Sequence, residues 1–182
     1  MKKFELTSEF ITNIFGTKLF RIKALIEFGN VKAGELGGFV EKEENLSQDG
    51  NAWVYDNARV YGDACVCGDA CVCGNARVCG NAWVYGNARV YGNARVYDNA
   101  RVYGNACVYG DAGYATVHGF GSEYRTTTFF KTKAGVGVKC GCFYGNLSEF
   151  RKKVVETHGE TKKAKEYLML ADLMEFRFSD NS

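Results

Sequence analysis

Arg59, Arg77 and Arg95 recur eighteen residues apart, and Tyr61 and Tyr97 stand two places after the first and the last of them. If that spacing brings the guanidinium groups together, they form a positive stripe. Guanidinium grips phosphate or carboxylate through paired N–H donors, and a neighbouring tyrosine adds a ring for stacking. The chemistry is capture of an anion, such as a nucleotide. The plainer alternative is a solvated face, with arginine stems covering the rings beside them. Arg125, Lys131 and His158 form a second set of candidate contacts in the C-terminal part.

Cysteine and histidine are the other reactive types. Of eight cysteines, Cys65/Cys67 and Cys71/Cys73 have metal-like C-x-C spacing, with Cys79 six residues on. In strands, residues two apart share a face. The two pairs fall on different strands and so cannot converge on one tetrahedral zinc. Cys140, Cys142 and His158 supply three ligands, one short of a closed structural site. Neither a metal nor a cofactor is expected. His118 is the candidate base for an acyl transfer, but no loop interrupts the repeats to close a site around it. No residue is assigned a catalytic role.

The element that positions these residues is a repeat. Residues 45–116 are twelve hexads without insertion, the purest reading Asn-Ala-Arg-Val-Tyr-Gly at 57–62 and 87–92. A strict short period predicts a stacked solenoid. The second and fourth residues, Ala and Val, share one strand face and make a narrow interior; the third and fifth point outward. Gly, Asp and Asn at the sixth and first positions turn the corners. The chain has no proline, so these residues must make its turns. Three hexads per coil give a left-handed parallel β-helix of about four coils, 45–62, 63–80, 81–98 and 99–116, stacked at about 4.8 Å.

Residues eighteen apart are then vertical neighbours. Face one carries Ser47/Asp49, Cys65/Cys67, Trp83/Tyr85 and Arg101/Tyr103. Face two carries Trp53/Tyr55, Cys71/Cys73, Arg89/Tyr91 and Cys107/Tyr109. Face three carries Arg59/Tyr61, Arg77/Cys79, Arg95/Tyr97 and Gly113/Ala115. Trp53, Arg59, Trp83 and Arg95 are all expected to point outward.

The ends differ. Residues 1–44 read as an N-terminal strand, at 19–28, and a cap that enters the solenoid with Leu36 in the Val register and Val40 in the Ala register. Residues 117–182 read as a β-hairpin (125–133 and 136–143) followed by two helices. The first, 147–157, buries Leu147, Phe150 and Val154 and stops at Gly159. The second, 161–176, has Ala164, Tyr167, Leu168, Ala171 and Met174 on one face. The whole is mainly β: a left-handed β-helix with an N-terminal cap and a C-terminal ββαα module.

Net charge is +2, which argues neither for nor against nucleic acid. No run is long and apolar enough to span a membrane, and the N-terminus lacks the apolar stretch of a signal peptide. A cytoplasmic location and reduced thiols are expected.

Two phrases carry a resemblance. LFRIKAL…GNVKAGELGGFVEKEENLSQDGNAWVYDNARVYG resembles a family of hexapeptide-repeat, left-handed β-helix proteins of phage and prophage genomes. YRTTTFFKTKAGVGVKCGCFYGNLSEF…ETHG is similar to the C-terminal module that often accompanies it. The family is often labelled a transferase by fold analogy, which assigns no chemistry. The resemblance implies a phage accessory role in the host bacterial cell, directed at host defence or host machinery.

The expected function is non-enzymatic binding: a counter-defence protein that sequesters or blocks a host immune factor or an anionic nucleotide signal. Outward Arg, Tyr and Trp suit contact, and an aromatic face such as Trp83/Tyr85/Tyr103 calls for cover, pointing to a homotrimer. Nucleic acid is a competing target. The alternatives are an acyl-CoA-dependent acyltransferase of the hexapeptide-repeat type and a structural or assembly protein.

Overall fold

The computed structural model describes residues 1–110, 113–123, 126–132 and 134–179 and divides into two compact units, Met1–Ala112 and Gly113–Ser182. Strands are numbered along the chain. The first unit is a parallel β-solenoid of about four coils with three flat sheets. One holds β5 (Arg59–Val60), β8 (Arg77–Val78) and β11 (Arg95–Val96). A second holds β4 (Trp53–Val54), β7 (Cys71–Val72), β10 (Arg89–Tyr91) and β13 (Cys107–Tyr109). The third holds β6 (Cys65–Val66), β9 (Trp83–Val84) and β12 (Arg101–Val102).

The pattern works as the hexad demands. From Ala52 to Val108 every second-position Ala and fourth-position Val is at most 1% exposed. Backbone N–H groups are satisfied by the next coil, as in Arg59 N to Ala76 O (2.9 Å) and Arg77 N to Ala94 O (2.8 Å). Corners take the left-handed backbone region, and at two of them Asp56 (φ 52°) and Asp98 (φ 58°) stand in place of glycine. Corners also stack closely: a Cβ at Gly86 would come within 3.0 Å of the Gly104 nitrogen.

Three departures from the regular register matter. Val40 pairs with Val60 and Leu46 with Val66, a spacing of twenty, whereas Trp53 pairs with Cys71 at eighteen. The corner between Ser47 and Gly50 therefore holds two extra residues: Ser47 N donates to Val66 O (2.9 Å) and so sits above Cys67 rather than Cys65, and Asp49 leaves face one for the corner. Leu46 fills the interior place instead, 1% exposed. For the same reason Val40, not Leu36, is in the Val register. Gly38 takes the Ala place, where a Cβ would lie 2.6 Å from Ala58 O, and Leu36 is exposed. Buried Asn45, ending a 3₁₀ turn (Glu43–Asn45), donates from Nδ2 to Gly62 O (2.9 Å) and Ala64 O (2.8 Å), satisfying carbonyls at this irregular edge.

The second departure is the last hexad. Asp111 and Ala112 lie outside the described residues. β14 (Tyr114–Val117) does not extend face three; it pairs antiparallel with β15 (Thr127–Thr132) in the second unit. The third is Trp53. Its hexad position points outward, but the N-terminal segment covers it completely. Phe28 (ring centroids 5.3 Å) and Phe4 (6.2 Å) pack edge-on against it, and it is 0% exposed.

That segment is β1 (Phe4–Thr12), β2 (Lys18–Ala24) and β3 (Leu36–Val40), which add antiparallel strands and then a parallel junction to the arginine sheet, in the order β1-β2-β3-β5-β8-β11. Such a cap covers the dry core and the unpaired strand edge of an end coil. Lys3 pins it: its buried ammonium donates to Ala52 O (3.0 Å) and Gly50 O (3.4 Å) and lies 4.9 Å above the Phe28 ring.

The second unit is a four-stranded antiparallel sheet, β14-β15-β16-β17, with β16 (Gly135–Cys140) and β17 (Phe143–Asn146), packed on helices α1 (Leu147–His158) and α2 (Lys162–Phe178). The expected hairpin is its middle pair; the flanking strands went unread. Both helices have clear start signals. Asn146 Oδ1 accepts from Glu149 N while the Glu149 carboxylate accepts from Asn146 N, a reciprocal cap, and Thr161 caps α2. Gly159, at φ 57°, ends α1. Leu147, Phe150 and Val154 meet Ala164, Tyr167, Ala171 and Met174 over Phe129 and Val138. Among the described residues, no helix is long and apolar enough to cross a membrane.

Candidate functional site

The arginine ladder forms as the eighteen-residue spacing requires. Arg59 pairs with Arg77, and Arg77 with Arg95, on adjacent parallel strands. Arg59 and Arg77 are half-buried and Arg95 is exposed. Among the described residues none of the three is in an ion pair, and the outward places of β5, β8 and β11 hold no carboxylate.

The row does not stop at Arg59. Phe39 is its cross-strand neighbour, and Arg21 is the neighbour of Phe39. The Arg21 guanidinium lies 4.3 Å above the Phe39 ring, donates from Nε to Glu9 (2.8 Å) and from a terminal nitrogen to Gly37 O (2.7 Å). The upper end of the row is therefore a stacked arginine neutralised by Glu9, whereas the three lower arginines make no ion pair among the described residues. The cap strands that supply Phe39 and Arg21 have no hexad, so the repeat alone does not reveal them.

Of the two tyrosines, Tyr61 is half-buried beside Cys79; burial pushes its phenol pKa up, and the bond to the Cys79 thiol adds to this. Tyr97 is 50% exposed. The site offers one fixed ring, one open ring and three cations on a rigid sheet. It can bind and orient an anion.

The other faces hold different chemistry. Tyr85 and Tyr103 pack with tilted rings on face one, centroids 4.5 Å apart, Trp83 meets Tyr85 edge-on, and Arg101 lies 5.5 Å from the Trp83 ring. The C-x-C pairs sit on separate sheets, Cys65 beside Trp83 and Cys71 between Trp53 and Arg89. Burial, then the neighbouring thiol, pushes Cys65 up to about 11 and Cys71 up to about 12. Both are held protonated and unreactive at neutral pH.

The second candidate set is dispersed. Arg125 lies outside the described residues. Lys131 is half-buried near the end of β15 that pairs with Val136. His158, in the last turn of α1, lines a cavity of about 180 Å³ together with Cys140, at the other end of that sheet pair; Lys131 does not line it. Exposed Cys142 is not part of the lining either. His118 is exposed, its Nδ1 3.3 Å from Thr126 Oγ1.

Sequence reasoning missed this cavity. Its one legible signal is Gly121, at φ 78°, where a Cβ would overlap the Tyr167 phenol. That close approach lets Gly121 N donate to Glu166 (3.0 Å) and Ser122 N to Tyr167 OH (3.4 Å), strapping the loop to α2.

Comparison with known proteins bears on the solenoid. The family model described as YdcK Beta solenoid repeat matches residues 52–68, 70–86, 82–98, 88–102, 94–110 and 100–119. Over 63 residues the chain is 40% identical to an Escherichia coli (strain K12) protein described as "Uncharacterized acetyltransferase YdcK". That match covers 31% of this chain and spans only 19% of the length of the relative. The hexads of this chain are thus β-solenoid repeats similar to those of YdcK.

Proposed function

We propose that the protein is a non-enzymatic binding protein whose solenoid captures a phosphate-bearing anion, in the first place a nucleotide, on Arg59, Arg77 and Arg95, with Tyr61 and Tyr97 beside them. The observation that carries this reading is the cross-strand register of three arginines that make no ion pair among the described residues. Like charges at one-strand spacing, about 4.8 Å between backbones, gain most from a ligand that brings its own negative charge. Bidentate guanidinium–phosphate bonds then form on a sheet that needs no rearrangement. The resemblance to phage accessory proteins supports a role in counter-defence: sequestering a host nucleotide signal, or blocking a host immune factor. Self-association through Trp83, Tyr85 and Tyr103, as a homotrimer, would cover the aromatic face.

The test is calorimetric titration of the full chain with ADP and with a cyclic dinucleotide. Saturable binding that Arg77→Ala weakens at least tenfold supports the proposal. Full affinity in an Arg59→Ala/Arg77→Ala/Arg95→Ala variant makes the ladder a solvated face and overturns it.

A second reading, acyl transfer from acyl-CoA, takes its support from the similarity of the hexads to the E. coli protein described as an acetyltransferase. His118 would be the base. Acetyl-CoA turnover that is lost in His118→Ala would establish it over the first reading.

A further inference from the structure

We propose that the cavity of the C-terminal unit binds a planar heteroaromatic ring of the nucleobase class. The proposal stands apart from the arginine ladder, because every residue it uses lies in Gly113–Ser182.

The cavity's wall is aromatic. Phe150 stands edge-on to Tyr167 (centroids 5.7 Å, 84°) and tilted against Phe143 (5.4 Å, 52°), and the His158 ring lies near-parallel to Tyr167 (5.8 Å, 27°). Rings presented as faces and edges favour a flat, polarisable guest. The recess is about 180 Å³ and opens to solvent. A flat ring can lie against the aromatic wall while an attached sugar extends through the open mouth.

The rim sets the chemical class. Ser122 and Thr157 offer hydroxyls that donate or accept, Lys153 donates, and Glu123 accepts. Lys153 is already drawn toward Glu156 at 3.8 Å. Mixed signs do not select a net charge; they match a ring whose edge alternates donors and acceptors. Two deeper polar groups are satisfied within the protein. The Cys140 thiol accepts from Thr127 Oγ1 (3.1 Å), and the Tyr167 hydroxyl accepts from Ser122 N (3.4 Å). The guest therefore need not supply polar atoms at the base, which suits stacking inside and hydrogen bonds at the rim. The strap through Gly121 holds this geometry before a ligand arrives.

The test uses uncharged nucleosides, which remove any pull of phosphate toward arginine. Adenosine, guanosine, cytidine and uridine are titrated into the ¹⁵N-labelled full chain. At least one should bind with saturable shifts at Ser122, Thr157 and His158. Val154→Trp, which fills the cavity, should abolish the shifts. Thr157→Val, which keeps the shape, should weaken binding about fivefold, one neutral hydrogen bond. Arg77→Ala should change nothing, so failure here and failure of the ladder remain separable. Absence of shifts for all four nucleosides at millimolar concentration overturns the proposal. So does indole binding as tightly as the best nucleoside, because it shows that the rim reads nothing.

Discussion

Arg77 is the middle rung of the ladder, and its removal separates a binding stripe from a charged surface. In the free protein Arg77 faces Arg59 and Arg95. Two unit charges about 6 Å apart in water repel by about 0.7 kcal/mol. Arg77→Ala therefore relieves two such contacts and loses some stem packing, and the melting temperature should move by no more than a degree or two. The bound state is different. A charge-assisted hydrogen bond to phosphate is worth about 1.5–3 kcal/mol, so affinity should fall roughly ten- to a hundredfold. The Debye length shrinks from about 30 Å at 0.01 M salt to about 8 Å at 0.15 M, so wild-type affinity should drop over that range, and the variant's drop should be shallower. The control is Arg89→Ala. Arg89 is exposed on another sheet, between Cys71 and Cys107, with no arginine above or below it. It removes the same charge without touching the ladder and should cost less than about threefold. Equal losses in the two variants, measured by calorimetry with ADP, would mean that net charge and not the ladder holds the ligand.

Four further outcomes are expected. Trp53→Ala should destabilise the first unit by about 3–5 kcal/mol; Trp53→Phe should cost far less, because Trp53 Nε1 is buried without a partner, and equal losses in urea melts would contradict the cap packing. Lys3 titrates near 8, lowered first by burial, against an ordinary 10.5. The unfolded chain then binds the extra proton between those values, so Lys3 adds stability as pH rises from about 8 to 10.5. Subtracting a Lys3→Met variant should reveal that slope, which the raised thiols Cys65 and Cys71 oppose above about pH 9; a flat difference refutes the assignment. Trp83→Glu should shift any oligomer toward monomer in light scattering, and an unmodified protein that is monomeric at micromolar concentration refutes face-one association. At pH 8, iodoacetamide should modify exposed Cys142 well before Cys65 or Cys71, as read by peptide mass.

The hexads made most of the solenoid legible, since a period of six leaves one choice of interior residues and one choice of vertical neighbours. The reading failed where that period is absent. Ser47, Gln48 and Asp49 look like a degenerate hexad, yet only Ser47 keeps a sheet bond, and Gln48 and Asp49 lengthen the corner by two residues. An exposed corner has no core residue to betray an insertion. Tyr114–Val117 continues the hexad pattern in sequence but pairs with Thr127–Thr132 instead. Tyr114 is buried there, so a pairing partner from outside the repeat decided its place. β1 was missed because Glu5, Thr7, Ser8, Glu9 and Thr12 leave no clean apolar alternation in Phe4–Thr12. In the C-terminal unit, the helical spacing of Leu147, Phe150 and Val154 was readable. The cavity was not, because it depends on a loop strap that only Gly121 hints at.

Trp53 and Trp83 show why the ladder's position could be read more easily than its role. Both occupy the third place of a hexad, yet one is 0% and the other 42% exposed. The repeat says which side chains point outward; residues outside the repeat, here Phe4 and Phe28, decide which of them meet solvent. The same logic grades the ladder. Arg59 lies beside Phe39, under the cap, and is half-buried; Arg77 is half-buried one coil below; Arg95, farthest from the cap, is exposed. Side-chain freedom lost before binding is not lost again on binding. Arg59 is therefore the more confined rung and Arg95 the more exposed one. An anion engaged by the whole stripe would meet one confined guanidinium and close the others onto itself. Replacing Arg59 should cost affinity chiefly through faster dissociation, while replacing Arg95 should also weaken the salt-dependent attraction that speeds association.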